Sequence, residues 1–207
     1  MDRRSLLKIM SLSTVGCAIS TPTLIQLLSS CNSDKNKQWK PLFLSDSQAF
    51  MVEQLSDLIL PSSKTPGALD IHTPQFIDLI LNDILPKKEQ DIFVKGAFIF
   101  EEKFKNMFDK EVEKGFREEY NIILEIYFNL TPETQKQVFE LMKQDAKKTR
   151  QKEIYYIYKF LIFIREYTLL GFYSSKQVGT EILNYTPIPG YYESCVPVTE
   201  VGNISSI

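Results

Sequence analysis

Apolar residues in this chain recur at the spacing of a helix far more often than at the alternation of a strand. Phe50, Met51, Leu55, Leu58 and Ile59 share one helical face. Ser45-Asp46-Ser47-Gln48 ahead of them reads as a capping box, with Ser45 as N-cap and Gln48 reaching back. Pro61 stops that helix. Phe76, Ile77, Ile80, Leu81, Ile84 and Leu85 form the next stripe, with Thr73 as expected N-cap, Pro74 at the first helical position and Pro86 closing it. Residues 88–113 predict a long charged helix with Ile92, Phe93, Phe100, Phe104 and Phe108 inward, broken at Gly115.

Residues 116–129 carry Ile122-Ile123 and Tyr127-Phe128, which also suit a strand, but their length and glutamates favour a helix. Thr131-Pro132 repeats the cap-and-proline device, and its helix, with Val138, Leu141 and Met142, is expected to end at the basic run Lys147-Lys148-Thr149-Arg150. Ile154 to Tyr173 is the most apolar part of the chain after the first 30 residues. Lys159, Arg165 and Glu166 within it argue against a membrane span and for a central helix buried on most sides, ended by Gly171. Ser174-Ser175-Lys176-Gln177 reads as a second capping box before a short helix to about Leu183. The prolines from Pro187 to Pro197 make the tail extended. Strand signals are almost absent. The expected fold is all-α: a single compact domain of about six helices, after an N-terminal export signal and before an irregular Pro-rich tail.

The first 30 residues follow a different pattern. Arg3-Arg4-Ser5-Leu6-Leu7-Lys8 precedes a run to Leu28 that is rich in Ser and Thr and is too polar for a good membrane span. Arg3 and Arg4 with Leu7 and Lys8 look like a twin-arginine export signal, the type that carries proteins already folded. An ordinary secretory signal with two incidental arginines is the alternative. Leu28-Ser29-Ser30-Cys31 looks like a lipobox, which makes Cys31 the lipidation candidate. A plain linker cysteine, able to pair with Cys195 in an oxidising compartment, is the other reading. The expected organisation is a signal with lipobox over 1–30, a tether over 31–42, a helical domain over 43–197 and a flexible tail over 198–207. It places the protein on the periplasmic side of the cell envelope, anchored by lipid.

Charge and composition remove other classes. With 24 basic and 26 acidic residues the chain carries −2. Cutting before Cys31 removes Arg3, Arg4, Lys8 and Asp2, leaving 21 basic against 25 acidic, or −4. No basic face for nucleic acid is implied. The eight glycines are not spaced as a dinucleotide or phosphate loop, and no haem or iron–sulfur cysteine motif occurs. His72 is the sole histidine and reads as a surface or hydrogen-bonding residue. Glu101-Glu102 and Glu118-Glu119 read as solvated helix faces. Asp70 reads as a brace for the loop at 61–74. No catalytic, cofactor-binding or metal-binding residue is expected on this chain.

Two blocks together resemble the gluconate 2-dehydrogenase subunit 3 family. The first is Ile59-Leu60-Pro61, Thr65-Pro66-Gly67-Ala68-Leu69-Asp70, Pro74 and Phe76-Ile77-Asp78. The second is Thr168-Leu169-Leu170-Gly171-Phe172-Tyr173-Ser174-Ser175, Glu181, Tyr185, Pro187, Pro189-Gly190-Tyr191 and Cys195-Val196-Pro197. The resemblance implies a non-catalytic small subunit that escorts and stabilises a large FAD-dependent dehydrogenase of the glucose-methanol-choline type. The FAD would sit on that partner, which oxidises sugars, sugar acids or polyols, and a cytochrome c subunit would take the electrons. It implies the twin-arginine translocase as a further partner, and the lipobox at Cys31 adds a membrane, through lipid. Pro66, Gly67, Asp70, Pro187, Pro189, Gly190 and Tyr191 become partner-contact candidates. Lys64 and His72 depart from the family's usual residues. A stand-alone periplasmic lipoprotein acting as a binding or scaffold module stays open beside this reading.

Overall fold

Ser45 accepts a hydrogen bond from the Gln48 amide at 3.2 Å while the Gln48 side chain accepts one from the Ser45 amide, also at 3.2 Å. This reciprocal cap starts the first helix, α1 (Asp46–Ile59), where the sequence places it. The computed structural model describes residues 39–146, 149–183, 188, 190, 195–197 and 199. The chain divides into two units, Met1–Trp39 and Lys40–Ile207, and the helices among the described residues belong to the second. Arg3, Arg4 and Cys31, with Lys147-Lys148, Pro187, Pro189, Tyr191 and the end of the tail, lie outside the described residues.

The remaining helices are α2 (Thr73–Leu79), α3 (Lys87–Phe108), α4 (Arg117–Phe128), α5 (Pro132–Met142), α6 (Lys152–Ser174) and α7 (Lys176–Glu181). The described residues are all-α, with no strand among them. No helix among them is long and apolar enough to cross a membrane.

α6 is the central element. Tyr155, Ile157, Tyr158, Phe160, Leu161 and Ile164 on it are buried, so the aromatic run is core. α3 lies along it. A Cβ on Gly96 would come within 2.4 Å of the Tyr156 carbonyl oxygen and 2.7 Å of the Phe160 Cβ, so only glycine permits this approach of the two helices. Around that contact the rings form a continuous ladder. Centroids are 4.9 Å apart for Phe104–Tyr120, 6.2 Å for Tyr120–Phe100, 5.4 Å for Phe100–Phe160, 5.1 Å for Phe160–Phe93 and 5.1 Å for Phe93–Phe163. Tilted pairs at such separations add to the area they bury. The Tyr120 hydroxyl donates to the Val112 carbonyl at 2.9 Å, and burial pushes its pKa well up.

Several local expectations are corrected. α3 ends at Phe108 because Asp109 turns left-handed (φ 54°), not at Gly115. Gly115 is small for another reason: a Cβ there would come within 2.4 Å of the Phe104 ring. Gly171 does not end α6. It lies inside the helix, where a Cβ would meet the Phe76 ring at 2.9 Å, and so it seats α2. α5 stops at Met142, before the basic run, and among its residues only Leu141 is buried. The N-cap of α7 is Ser175, whose hydroxyl accepts from the Val178 amide at 3.2 Å, while Gln177 turns to Glu181. Finally, the second apolar stripe is not one regular helix. After Leu79 it widens into a π-helical turn over Ile80–Ile84, and the Gln90 side-chain Nε2 donates to the Leu81 carbonyl at 2.7 Å.

Candidate partner-binding surfaces

The loop from Pro61 to His72 joins α1 to α2, and its shape is set by backbone contacts. Gly67 is buried, and a Cβ there would strike the Ser62 nitrogen at 2.4 Å and the Leu60 oxygen at 2.9 Å. Only glycine lets this strand of loop lie flat on the end of α1. The Ala68 amide then donates to the Leu60 carbonyl at 2.8 Å, and the Thr73 amide to the Ala68 carbonyl at 2.9 Å. Asp70 closes the loop by accepting from the Gly67 amide at 2.7 Å. That amide, and then the Ser62 hydroxyl, hold the Asp70 carboxyl below the ordinary carboxylate range. Asp70 therefore braces the loop, as its position suggests.

The start of α2 differs from expectation. His72, not Thr73, is the N-cap, and it sits in the left-handed region (φ 59°, ψ 37°) with its side chain exposed and making no cap. Thr73 is the first helical residue, and its hydroxyl is buried without a hydrogen-bond partner, as is the Gln75 side-chain oxygen. A non-glycine residue at positive φ costs about 1 kcal/mol or more. The amides of His72 and Thr73 bond back to the loop carbonyls of Leu69 and Ala68, which fixes that conformation.

Asp78 on α2 makes the most extensive set of polar ties of any acid near this loop. It is 1% exposed. Its two carboxylate oxygens accept from the amides of Leu42 (2.7 Å), Phe43 (3.0 Å) and Leu44 (3.0 Å). The segment entering α1 is thereby tied to α2. In the sequence Asp78 stands only within the Phe76-Ile77-Asp78 block, which does not reveal this role. The signal for it is a lone carboxylate inside an apolar stripe, between Ile77 and Ile80. A second buried polar tie joins α1 to α6, where the hydroxyls of Ser56 and Thr168 lie 3.1 Å apart.

Of the partner-contact candidates, Pro66, Gly67 and Asp70 fall together in the braced loop. Gly190 is exposed, with open space where a Cβ would stand. Ile188 beside it is 85% exposed, and Cys195 is an exposed free thiol. A groove of about 450 Å³ opens between α3, α5 and α6, lined by Leu85, Ile92, Phe139, Phe163 and Tyr167 with Glu89, Lys159 and Glu166 among its polar residues. Among the described residues no three His, Cys, Asp or Glu side chains are grouped to hold a metal ion.

The glutamate pairs are less uniform than solvated faces. Glu102 and Glu118 are exposed, but Glu101 accepts from the Ser47 hydroxyl at 2.6 Å, and Glu119 holds both Lys110 (2.7 Å) and the Phe116 amide (2.8 Å). Glu119 thus caps α4 and ties it to the turn after α3.

No match to the chain was found among curated proteins or among solved structures. Residues 46–190 match the sequence profile of gluconate 2-dehydrogenase subunit 3, from α1 through α7 and into the tail. That span includes the braced loop, the α2–α6 contact at Gly171 and the tail at Gly190, and it covers well over half of the chain, so the chain belongs to the gluconate 2-dehydrogenase subunit 3 family.

Proposed function

We propose that this chain is the non-catalytic small subunit of a periplasmic-side complex. It escorts a large FAD-dependent dehydrogenase of the glucose-methanol-choline type through the twin-arginine route and stabilises it afterwards. The observation that carries this reading is the family match over residues 46–190, whose members are named as a dehydrogenase subunit. The leader supports it. Arg3 and Arg4 suit a route for folded cargo, and a flavin-loaded partner is cargo that must cross folded. The braced loop supports it as well. Gly67, Asp70 and Ala68 spend their chemistry on holding a surface in one shape, which suits recognition of another protein. Cys31, once acylated, would hold the pair at the membrane. The partner's substrate would be a sugar, sugar acid or polyol, and a cytochrome c subunit would accept the electrons.

The test is purification of the full-length protein from detergent-solubilised membranes. A yellow chain with bound flavin is expected to co-purify. Arg3→Lys together with Arg4→Lys is expected to leave both chains inside the cell. A colourless preparation containing this chain alone would overturn the reading.

A further inference from the structure

The mature net charge of −4 is not spread over the surface. Residues 109–133 contain seven acidic and three basic residues, a net −4 in that stretch alone, so the rest of the mature chain is balanced. Two of the three basic residues there are paired, and of the acids Glu111 is paired with Lys105 of α3. Lys110 is held by Glu119, and Arg117 pairs with Asp57 of α1. Glu118 and Glu125 have no cationic partner among the described residues; the Glu125 carboxylate accepts from the Asn121 side-chain Nδ2 at 2.9 Å. The outer side of α4 therefore carries two carboxylates without a cationic partner among the described residues, Glu118 and Glu125.

Its centre is apolar. α4 buries Tyr120, Ile123, Leu124 and Tyr127 against the core. On the opposite side Ile122 is 45% exposed and Ile126 is 49% exposed. Four residues apart, they are neighbours on one face. Glu118 lies one turn before Ile122 and Glu125 three residues after it, so both flank it. Phe116, 63% exposed, extends the patch through Glu119, which bonds its amide and holds the Lys110 ammonium 4.5 Å from its ring centroid. An apolar centre inside a charged rim is the anatomy of a protein–protein interface.

We infer that this face of α4 is the docking surface for the dehydrogenase subunit, whose complementary surface is apolar at its centre and ringed by lysine or arginine. The inference rests on the small-subunit reading above and assigns it a surface. Charge complementarity selects the partner: a basic rim meets Glu118 and Glu125, while a second copy of this chain would oppose like charges. It also makes association salt-dependent, because rim charges act mainly through screened attraction.

The experiment uses the complex purified from membranes. Glu118→Lys with Glu125→Lys, and separately Ile122→Ser with Ile126→Ser, are compared with wild type and with Glu102→Lys, an exposed acid on α3. Helicity by circular dichroism confirms that each variant is folded. Both α4 variants are expected to retain less than a tenth of the flavin-bearing chain, and Glu102→Lys all of it. Retention by wild type is expected to fall as salt rises from about 0.05 to 0.5 M. Undiminished retention by both folded α4 variants would overturn the docking face and leave the small-subunit reading standing. Absence of any flavin-bearing chain from wild type would remove that reading and the docking face with it. A homodimer of this chain, broken by the same substitutions, would assign the face to self-association and overturn the inference.

Discussion

The α3–α6 seam and the α1–α2 loop both depend on one glycine, yet they are held by different physics. At Gly96 the neighbours are a helix carbonyl and the base of a phenylalanine, inside a ladder of rings. At Gly67 the neighbours are backbone atoms of residues 60 to 62, and the holding forces are amide hydrogen bonds closed by Asp70. The seam is stabilised by area removed from water, so its loss is felt by the whole domain. The loop is stabilised by directed bonds near solvent, so its loss stays local. The seam admits no closer side chain at Gly96, and the loop is rigid without being a second core.

The comparison is broken most directly at the two glycines. Gly96→Val forces α3 away from Tyr156 and Phe160, and is expected to cost about 3 kcal/mol or more. Urea unfolding should show the midpoint falling across the whole transition. Gly67→Ala is expected to cost about 1–2 kcal/mol, with faster amide exchange confined to residues 60–73. Equal losses in the two variants would mean that the loop and the seam unfold as one unit.

The next effect belongs to Asp78, which shares features of both regions because it is a buried polar tie. Asp78→Ala leaves the Leu42, Phe43 and Leu44 amides without their acceptor. The Leu44 bond is buried, and stranding one such donor costs about 1–3 kcal/mol. We expect a loss of about 2 kcal/mol and rapid hydrogen exchange at residues 42–44. Asp78→Asn keeps one acceptor oxygen and should recover part of the loss. Unchanged exchange in Asp78→Ala would show that the segment before α1 is held by packing instead.

What was legible in the sequence divides along the same line. The seam could be read because Phe93, Phe100, Phe104 and the run from Tyr155 to Ile164 repeat at helical spacing, and burial follows from that period. The caps at Ser45 and Thr131 could be read because they depend on residues three positions apart. Gly96, Gly115 and Gly171 could not be read correctly, since the groups that crowd them come from other elements. The π-helical turn at Ile80–Ile84 was hidden because one extra residue per turn leaves the apolar stripe almost unchanged. The loop was legible as a motif but not as a mechanism. Pro66 and Gly67 announce a turn, while the reach of Asp78 to residues 36 positions away depends on tertiary approach. The α4 face was obscured because Glu118 and Glu119 look alike in sequence, and only the fold turns one to Lys110 and the other to solvent.

The smallest effect sharpens the comparison through pH. The Asp70 carboxyl is held below its ordinary value, first by the Gly67 amide and then by the Ser62 hydroxyl. A carboxylate favoured in the folded state contributes stability above its unfolded pKa of about 3.9. That contribution is lost as pH falls through the lower folded value, because the protonated form no longer accepts both bonds. The side chain is solvent-accessible, so the effect is confined to the loop and small on global unfolding. Asp70→Asn is therefore expected to leave the urea midpoint nearly unchanged at pH 7 and to raise amide exchange at Gly67. In wild type the Gly67 amide should lose protection as pH falls from about 4 towards 2, after correction for intrinsic exchange. In Asp70→Asn the same amide should show no such step. A step that survives the substitution would place the acid-sensitive group elsewhere and leave the loop held by its backbone bonds alone.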